Sequence, residues 1–320
     1  MRRSVPELRH ALLRAAAWSA AALLIAAQGP GFAGRAQAAE AARPARSAGE
    51  IIAAAPAEHW RQPDPSNLLY LVFQGNVVVI ELAPRFAPEH VANIRTLARE
   101  KFWDGTSIYR VQDNFVAQFG DALGEDAARA RPLGTAKRKL PAEFHRSAKG
   151  LPFDVLPDKD GWAPEVGFVE GFAAARDTRA DRAWLAHCYG AVGAGRGNAE
   201  DSSLGAELYV VIGQAPRHLD DNITVVGRVL LGMESLSALP RGTGAAGFIE
   251  NPAQHTPIRS VVLASEVPEA ARLRIEVMRT DSASFRDVVE ARRNRVDAFY
   301  KRPAGHIDLC NVEVPVRTTR

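Results

Sequence analysis

An arginine, a phenylalanine and a glutamine stand at positions 110, 115 and 118, inside the stretch Ile108–Asp121, I-Y-R-V-Q-D-N-F-V-A-Q-F-G-D. A strand through Arg110, a polar corner at Gln112–Asn114 and a second strand through Gln118 would turn Arg110, Phe115 and Gln118 onto one concave surface. Side-chain alternation then places Tyr109 and Val111 on the face opposite Arg110. Such a surface offers a fixed guanidinium donor beside an apolar ring and an amide. A guanidinium offers five N–H donors and no acceptor, so such a surface could donate hydrogen bonds to a bound group. An ordinary hairpin with a surface Arg, a core Phe and a surface Gln would carry the same letters.

Other chemistries lack their residues. His145, His187, His218 and His255 are widely spaced, and no H-x-x-x-H or C-x-x-C spacing offers ligands, so no metal and no cofactor is expected. There is no G-x-S-x-G elbow for serine hydrolysis. Gly190–Gly197 is glycine-rich but lacks the Lys-Ser/Thr ending of a phosphate loop, and reads as close backbone packing.

The same stretch resembles the signature of the cyclophilin family of peptidyl-prolyl isomerases, F-H-R-V-x-x-x-F-x-x-Q-x-G-D, with Arg110, Val111, Phe115, Gln118, Gly120 and Asp121 in register. The resemblance extends both ways along the chain. Leu69–Phe73, the turn Gln74-Gly75-Asn76 and Val77–Leu82 form a strand, turn and strand ending in Glu-Leu, as cyclophilin domains open. Pro88 begins a helix whose Val91, Ile94, Leu97 and Ala98 give one apolar face. Asn93, in the family's A-P-x-x-V-x-N-F pattern, reads as a structural bridge, and Trp103 as core or rim. Gly190–Arg196 resembles G-x-V-S-M-A-R, Ala215–Asp220 resembles A-P-x-L-D, and Thr224–Val229 resembles T-V-F-G-x-V. Gly232-Met233 leads into a second helix, and Pro257–Leu263 is the expected last barrel strand.

The resemblance implies a mainly β fold: a closed eight-stranded antiparallel barrel capped by two α-helices, with a loop insertion and a helical C-terminal tail. It implies isomerisation of X–Pro bonds, with proline-containing unfolded or folding polypeptides as partners. Arg110 would donate to the prolyl nitrogen. Phe115 and Tyr209 would wall the proline pocket, with Val116 where the family has Met. Gln118 would orient Arg110 and the substrate carbonyl. Gly195 would line the pocket floor, Arg196 would offer its main chain to the peptide, and Leu219 would stand on the rim. Counting back from Gly227 without a gap puts Val210 in the pocket; one inserted residue puts Tyr209 there, and an aromatic better suits a pyrrolidine wall. Ile223 stands where the family often has His, and His218 where it has Trp or His. These departures leave open a second reading, a cyclophilin-like peptide-binding or chaperone module with little or no turnover.

The remaining sequence sets the context. Four arginines between Arg2 and Arg14, an apolar run Ala15–Ala27 and the small residues of Ala36-Gln37-Ala38 read as a secretory signal over residues 1–38. The run is short of the roughly 20 residues that span a bilayer, so no anchor is expected after cleavage. Residues 1–38 carry five Arg and one Glu, so of the formal charge of +3 the remainder holds about −1, and no basic stripe speaks for nucleic acid. The expected setting is an exported, monomeric protein of a bacterial periplasm. Residues 39–66 read as a linker that can hold a short helix around Ala48–Ala57, 67–265 as the isomerase domain with an insertion at about 145–185, and 266–320 as an extension. In that extension Leu273–Met278 suggests a strand, and Ser284 is a candidate N-cap for a helix through Tyr300. An oxidising compartment permits Cys188 and Cys310 to pair; two separate buried thiols are the alternative.

Overall fold

The structure, a computed structural model, describes residues 46–319. Residues 1–38, read from sequence as a secretory signal, lie outside the described residues. Among those described, no helix is long and apolar enough to cross a membrane. In chain order the strands are β1 (Trp60–Arg61), β2 (Leu68–Phe73), β3 (Asn76–Leu82), β4 (Ser107–Val111), β5 (Val116–Gly120), β6 (Asp154–Val155), β7 (Glu165–Val169) and β8 (Phe172–Asp177). They continue with β9 (Arg182–Leu185), β10 (Ala191–Ala194), β11 (Leu208–Val211), β12 (Val225–Leu231), β13 (Thr256–Leu263), β14 (Ile275–Met278) and β15 (Val316–Thr318). The helices are α1 (Ala48–Ala53), α2 (Pro88–Arg99), α3 (Met233–Ser237) and α4 (Ala283–Arg293).

Eight strands close a barrel in the order β10-β11-β5-β4-β13-β2-β3-β12, every neighbour antiparallel. Closure leaves no free sheet edge. The alternation of β2 and β3 explains the barrel core: Leu69, Leu71 and Phe73 meet Val78, Ile80 and Leu82 inside. Their hairpin turns on Gln74 and Gly75, both at positive φ (48° and 79°), as a two-residue type I′ turn demands. Helix α2 starts on Pro88 and lays Val91, Ile94 and Leu97 over the barrel. Asn93 is buried and ties two loops, donating to Lys137 O and Leu204 O and accepting from Lys137 N. Trp103 is fully buried, with Nε1 on Ala206 O.

The insertion is a four-stranded antiparallel sheet, β6-β7-β8-β9, where the sequence suggested a loop. Its two faces follow the pleat. Phe172, Ala174, Ala183 and Leu185 pack toward the outer wall of the barrel, while Phe168, Ala175 and Trp184 pack toward the tail. The tail adds β14 and β15 to β1, and α4 sets Phe285 edge-on to Phe168 with centroids 5.2 Å apart. A disulfide joins Cys188, just before β10, to Cys310 of the tail.

The flanking segments differ from their sequence reading in three ways. The stretch read as a linker carries the expected short helix as α1, closed by a Ser47–Glu50 capping box, but adds the strand β1 and buries Ile51 and Trp60. The N-cap of α4 is Ser282, whose Oγ accepts from Phe285 N; Ser284 is inside the helix, and its Oγ meets His59 Nδ1 at 2.8 Å. The helix stops at Arg293, well before Tyr300, where Asp158 holds the Arg293 side chain.

Candidate active site

Arg110 lies on β4 and Gln118 on β5, paired across the ladder. The register slips between Ile108 and Arg110, and this bulge decides the site. Ile108 and Val111 enter the barrel core. Tyr109 does not: its ring stacks on Phe248 at 6.1 Å, and the Arg110 guanidinium lies 5.3 Å from that same ring. Simple alternation put Tyr109 opposite Arg110; the extra residue in the bulge brings both to the outer wall.

Three acceptors fix the guanidinium. Arg110 Nη1 donates to Gln118 Oε1 at 3.0 Å, Nη2 to Gln112 Oε1 at 2.7 Å, and Nε to Ala246 O at 2.8 Å. A guanidinium has five N–H donors, so two remain for a ligand. Phe115 sits 5.8 Å below it, half-buried. Partial burial pulls the Arg110 pKa below its ordinary value, and the group stays cationic. The glycine-rich loop Gly242–Phe248 that supplies Ala246 and Phe248 was not singled out from sequence. Three glycines before one aromatic were the available signal.

Beside this donor lies the apolar wall. Val116, Tyr209, Val211 and Val225 form one cluster, with Phe115 and Ile223 at its edge. Tyr209 and Val211 face out while Val210 faces the barrel interior, so β11 offers Tyr209 to the wall. The wall is also where the insertion sheet packs. Val116 is 2% exposed and Tyr209 6%. Tyr209 stacks against His187 (interplanar angle 9°) and its Oη lies 2.8 Å from His187 Nε2. With Nδ1 protonated against Asp220 Oδ1 at 3.0 Å, Nε2 is the acceptor and Tyr209 donates. Burial, and then the Asp220 charge, raises the Tyr209 pKa. Burial pushes Asp220 up, but its bonds to His187 and Arg217 outweigh that and hold it below the ordinary carboxylate range.

The remaining candidates surround this wall. A Cβ on Gly195 would fall 3.7 Å from Gln118 Nε2, so the residue borders the Arg110–Gln118 pair. Arg196 turns its side chain away, to Asn222 O and Gly197 O, over the Phe144 ring. Leu219 is half-buried in the short turn Arg217–Leu219, and His218 beside it is exposed. Among the described residues, no three His, Cys, Asp or Glu side chains gather as metal ligands would.

The chain was compared with known proteins. A family model described as "Cyclophilin type peptidyl-prolyl cis-trans isomerase/CLD" matches residues 70–263. The probable peptidyl-prolyl cis-trans isomerases of Brucella suis and Brucella melitensis are each 29% identical over 196 residues, covering 59% of this chain and 80% of theirs. Peptidyl-prolyl cis-trans isomerase B of Bacillus subtilis is 45% identical over 51 residues, 16% of this chain and 36% of its own. The crystal structure of cyclophilin AquaCyp293 from Hirschia baltica superposes with a TM-score of 0.65 at 26% identity, covering 82% of this chain and 94% of that one. At 82% of the chain, that last likeness spans more than the stretch 70–263 that the family model matches.

Proposed function

The chain belongs to the cyclophilin-type peptidyl-prolyl cis-trans isomerase family, and from that premise we propose that Arg110 drives X–Pro bond rotation in polypeptides exported to the periplasm. Rotation must break amide resonance, a barrier of about 18–20 kcal/mol. Twisting pyramidalises the prolyl nitrogen and gives it a lone pair. A donor aimed at that lone pair binds the twisted state and has nothing to bind in the planar one. The reading rests on one observation: Arg110 is held at three points with two N–H groups left over. Phe115 beneath it and Leu219 on the rim would seat the proline ring, with Gln118 aligning the guanidinium.

A second reading has its own support. The wall residues Val116 and Tyr209 are already covered by the insertion cluster, which favours a peptide-binding module with slow turnover. Protease-coupled isomerisation of an Ala-Pro peptide separates the two. Removing one preorganised donor lowers turnover on the order of 100-fold, so Arg110→Ala is expected to lose nearly all acceleration. A folded wild type that leaves the peptide rate unchanged would favour the binding module.

A further inference from the structure

We infer that Glu207, acting through Tyr109, is a positioning residue for Arg110: its carboxylate decides which way the Gln118 amide faces. The inference rests on the reading of Arg110 above and deepens it. Tyr109 Oη donates to Glu207 Oε2 at 2.5 Å, and Gln118 Nε2 donates to the same Oη at 2.8 Å. A phenol has one proton. With that proton given to Glu207, the Tyr109 oxygen can only accept from Gln118. The amide must then turn its NH2 to Tyr109 and its carbonyl to Arg110 Nη1, 3.0 Å away. The reversed amide would set NH2 against guanidinium N–H, donor against donor.

The carboxylate has a shaped seat. Glu207 immediately precedes β11, and its Oε1 accepts from Asp121 N at 2.7 Å. A Cβ at Gly120 would lie 2.1 Å from Oε2, so the Gly-Asp pair ending β5 leaves room for this group and then bonds it. Phe248 holds Tyr109 from the far side.

Protonation would undo the arrangement. Burial pushes Glu207 up to about 8, against the bonds from Tyr109 and Asp121 N–H and with help from the Asp121 and Glu125 charges. The other titratable or charged groups around the network are Tyr109 itself, Arg110 beyond Gln118, His255, whose ring is 6.3 Å from that of Tyr109, and Arg129, Arg131 and Glu250, which line the cavity beside Tyr109 and Asp121. A protonated Glu207 can donate to Tyr109 Oη. The phenol proton then turns to Gln118, and the amide flips. Alignment of Arg110 is therefore gained as pH rises through the Glu207 titration.

The test is kcat/KM for an Ala-Pro peptide, read by NMR exchange without a coupling protease, between about pH 6 and about pH 9.5. Wild type is expected to rise through about pH 8. Glu207→Gln and Tyr109→Phe should lose that rise and sit on the order of tenfold below the wild-type alkaline plateau, as a displaced catalytic donor implies. The Gln118 side-chain 15N–1H resonances give a readout independent of turnover. They should titrate with Glu207 in wild type and in Arg110→Ala, but not in the other two variants. Full turnover in Arg110→Ala would sink the reading of Arg110 while the resonances still judged the network. An unmoved Gln118 amide in wild type, or an unchanged pH rise in both network variants, would overturn the role of Glu207.

Discussion

Arg217 and Asp160 face each other at two points, Nη1 to Oδ2 at 3.0 Å and Nη2 to Oδ1 at 3.2 Å, with their side chains 5% and 6% exposed. Arg217 opens the turn that carries Leu219, and Asp160 belongs to the insertion. Through Nε the same arginine also holds Asp220, which holds His187, which holds Tyr209. One buried polar chain thus fastens the insertion to the wall of the site. A buried pair broken from one side leaves an uncompensated charge, worth about 3–5 kcal/mol. Because Asp220 still faces Arg217, Asp160→Ala is expected near the lower end, about 3 kcal/mol, in denaturant unfolding. Arg217→Met should cost more than Asp160→Ala, because it strands the Asp160 and Asp220 carboxylates together. A single variant as stable as wild type would mean that the pair does not fasten the insertion.

The barrel was legible because its strands alternate cleanly and its turns announce themselves. Leu69, Leu71 and Phe73 are spaced for one face, and Gly75 marks the corner. Arg110, Phe115 and Gln118 were legible as types, and Arg110 and Gln118 do meet. The face of Tyr109 was not, since a bulge shifts alternation by one residue and leaves no mark in composition. The insertion sheet hid for a different reason. Its strand β8 runs through Ala173, Ala174 and Ala175, which favour helices, and its hairpin turns on Glu170-Gly171 rather than the usual Asn-Gly. Tyr209 could be picked out from β11, but its partner His187 is a contact between distant segments, fixed only when the insertion docks.

The disulfide offers a second prediction. Cys188 and Cys310 are 122 residues apart in sequence, and cross-linking so long a loop removes much of the freedom of the unfolded chain. The chain-entropy relation gives about 4–5 kcal/mol for a loop of this length. Cys188→Ala with Cys310→Ala should therefore lower the urea midpoint, and reduction of wild type should reproduce the effect. Neither cysteine belongs to the cluster that holds Phe115 and Val116, so turnover at room temperature should be retained. A double variant with an unchanged midpoint would mean that the tail stays docked by packing alone, through contacts such as Phe285 on Phe168.

Two glutamates should give the stability opposite slopes with pH. Burial pushes Glu143 up, but the His90 side chain and the Glu89 and His90 backbone N–H groups outweigh it and hold the carboxyl below its ordinary value. A depressed carboxyl binds fewer protons folded than unfolded. Its contribution is therefore present above the unfolded pKa, about 4.3, and lost as pH falls through the folded value. Glu207 is the reverse case. Its folded pKa is raised, so its contribution is full below the unfolded value and is lost as pH rises toward about 8. Stability should thus decline between about pH 4.3 and about pH 8, with a slope of up to about 1.4 kcal/mol per pH unit for this one proton. Glu143→Gln should flatten the acid limb of a Tm-against-pH curve, and Glu207→Gln the decline between about pH 4.3 and about pH 8. At about pH 8.5 the Glu207→Gln protein should be more stable than wild type and slower as an isomerase, because the network that aligns Arg110 uses a buried charge the fold would rather neutralise. A variant that gained no stability there would show that Glu207 ionises without cost in the folded chain.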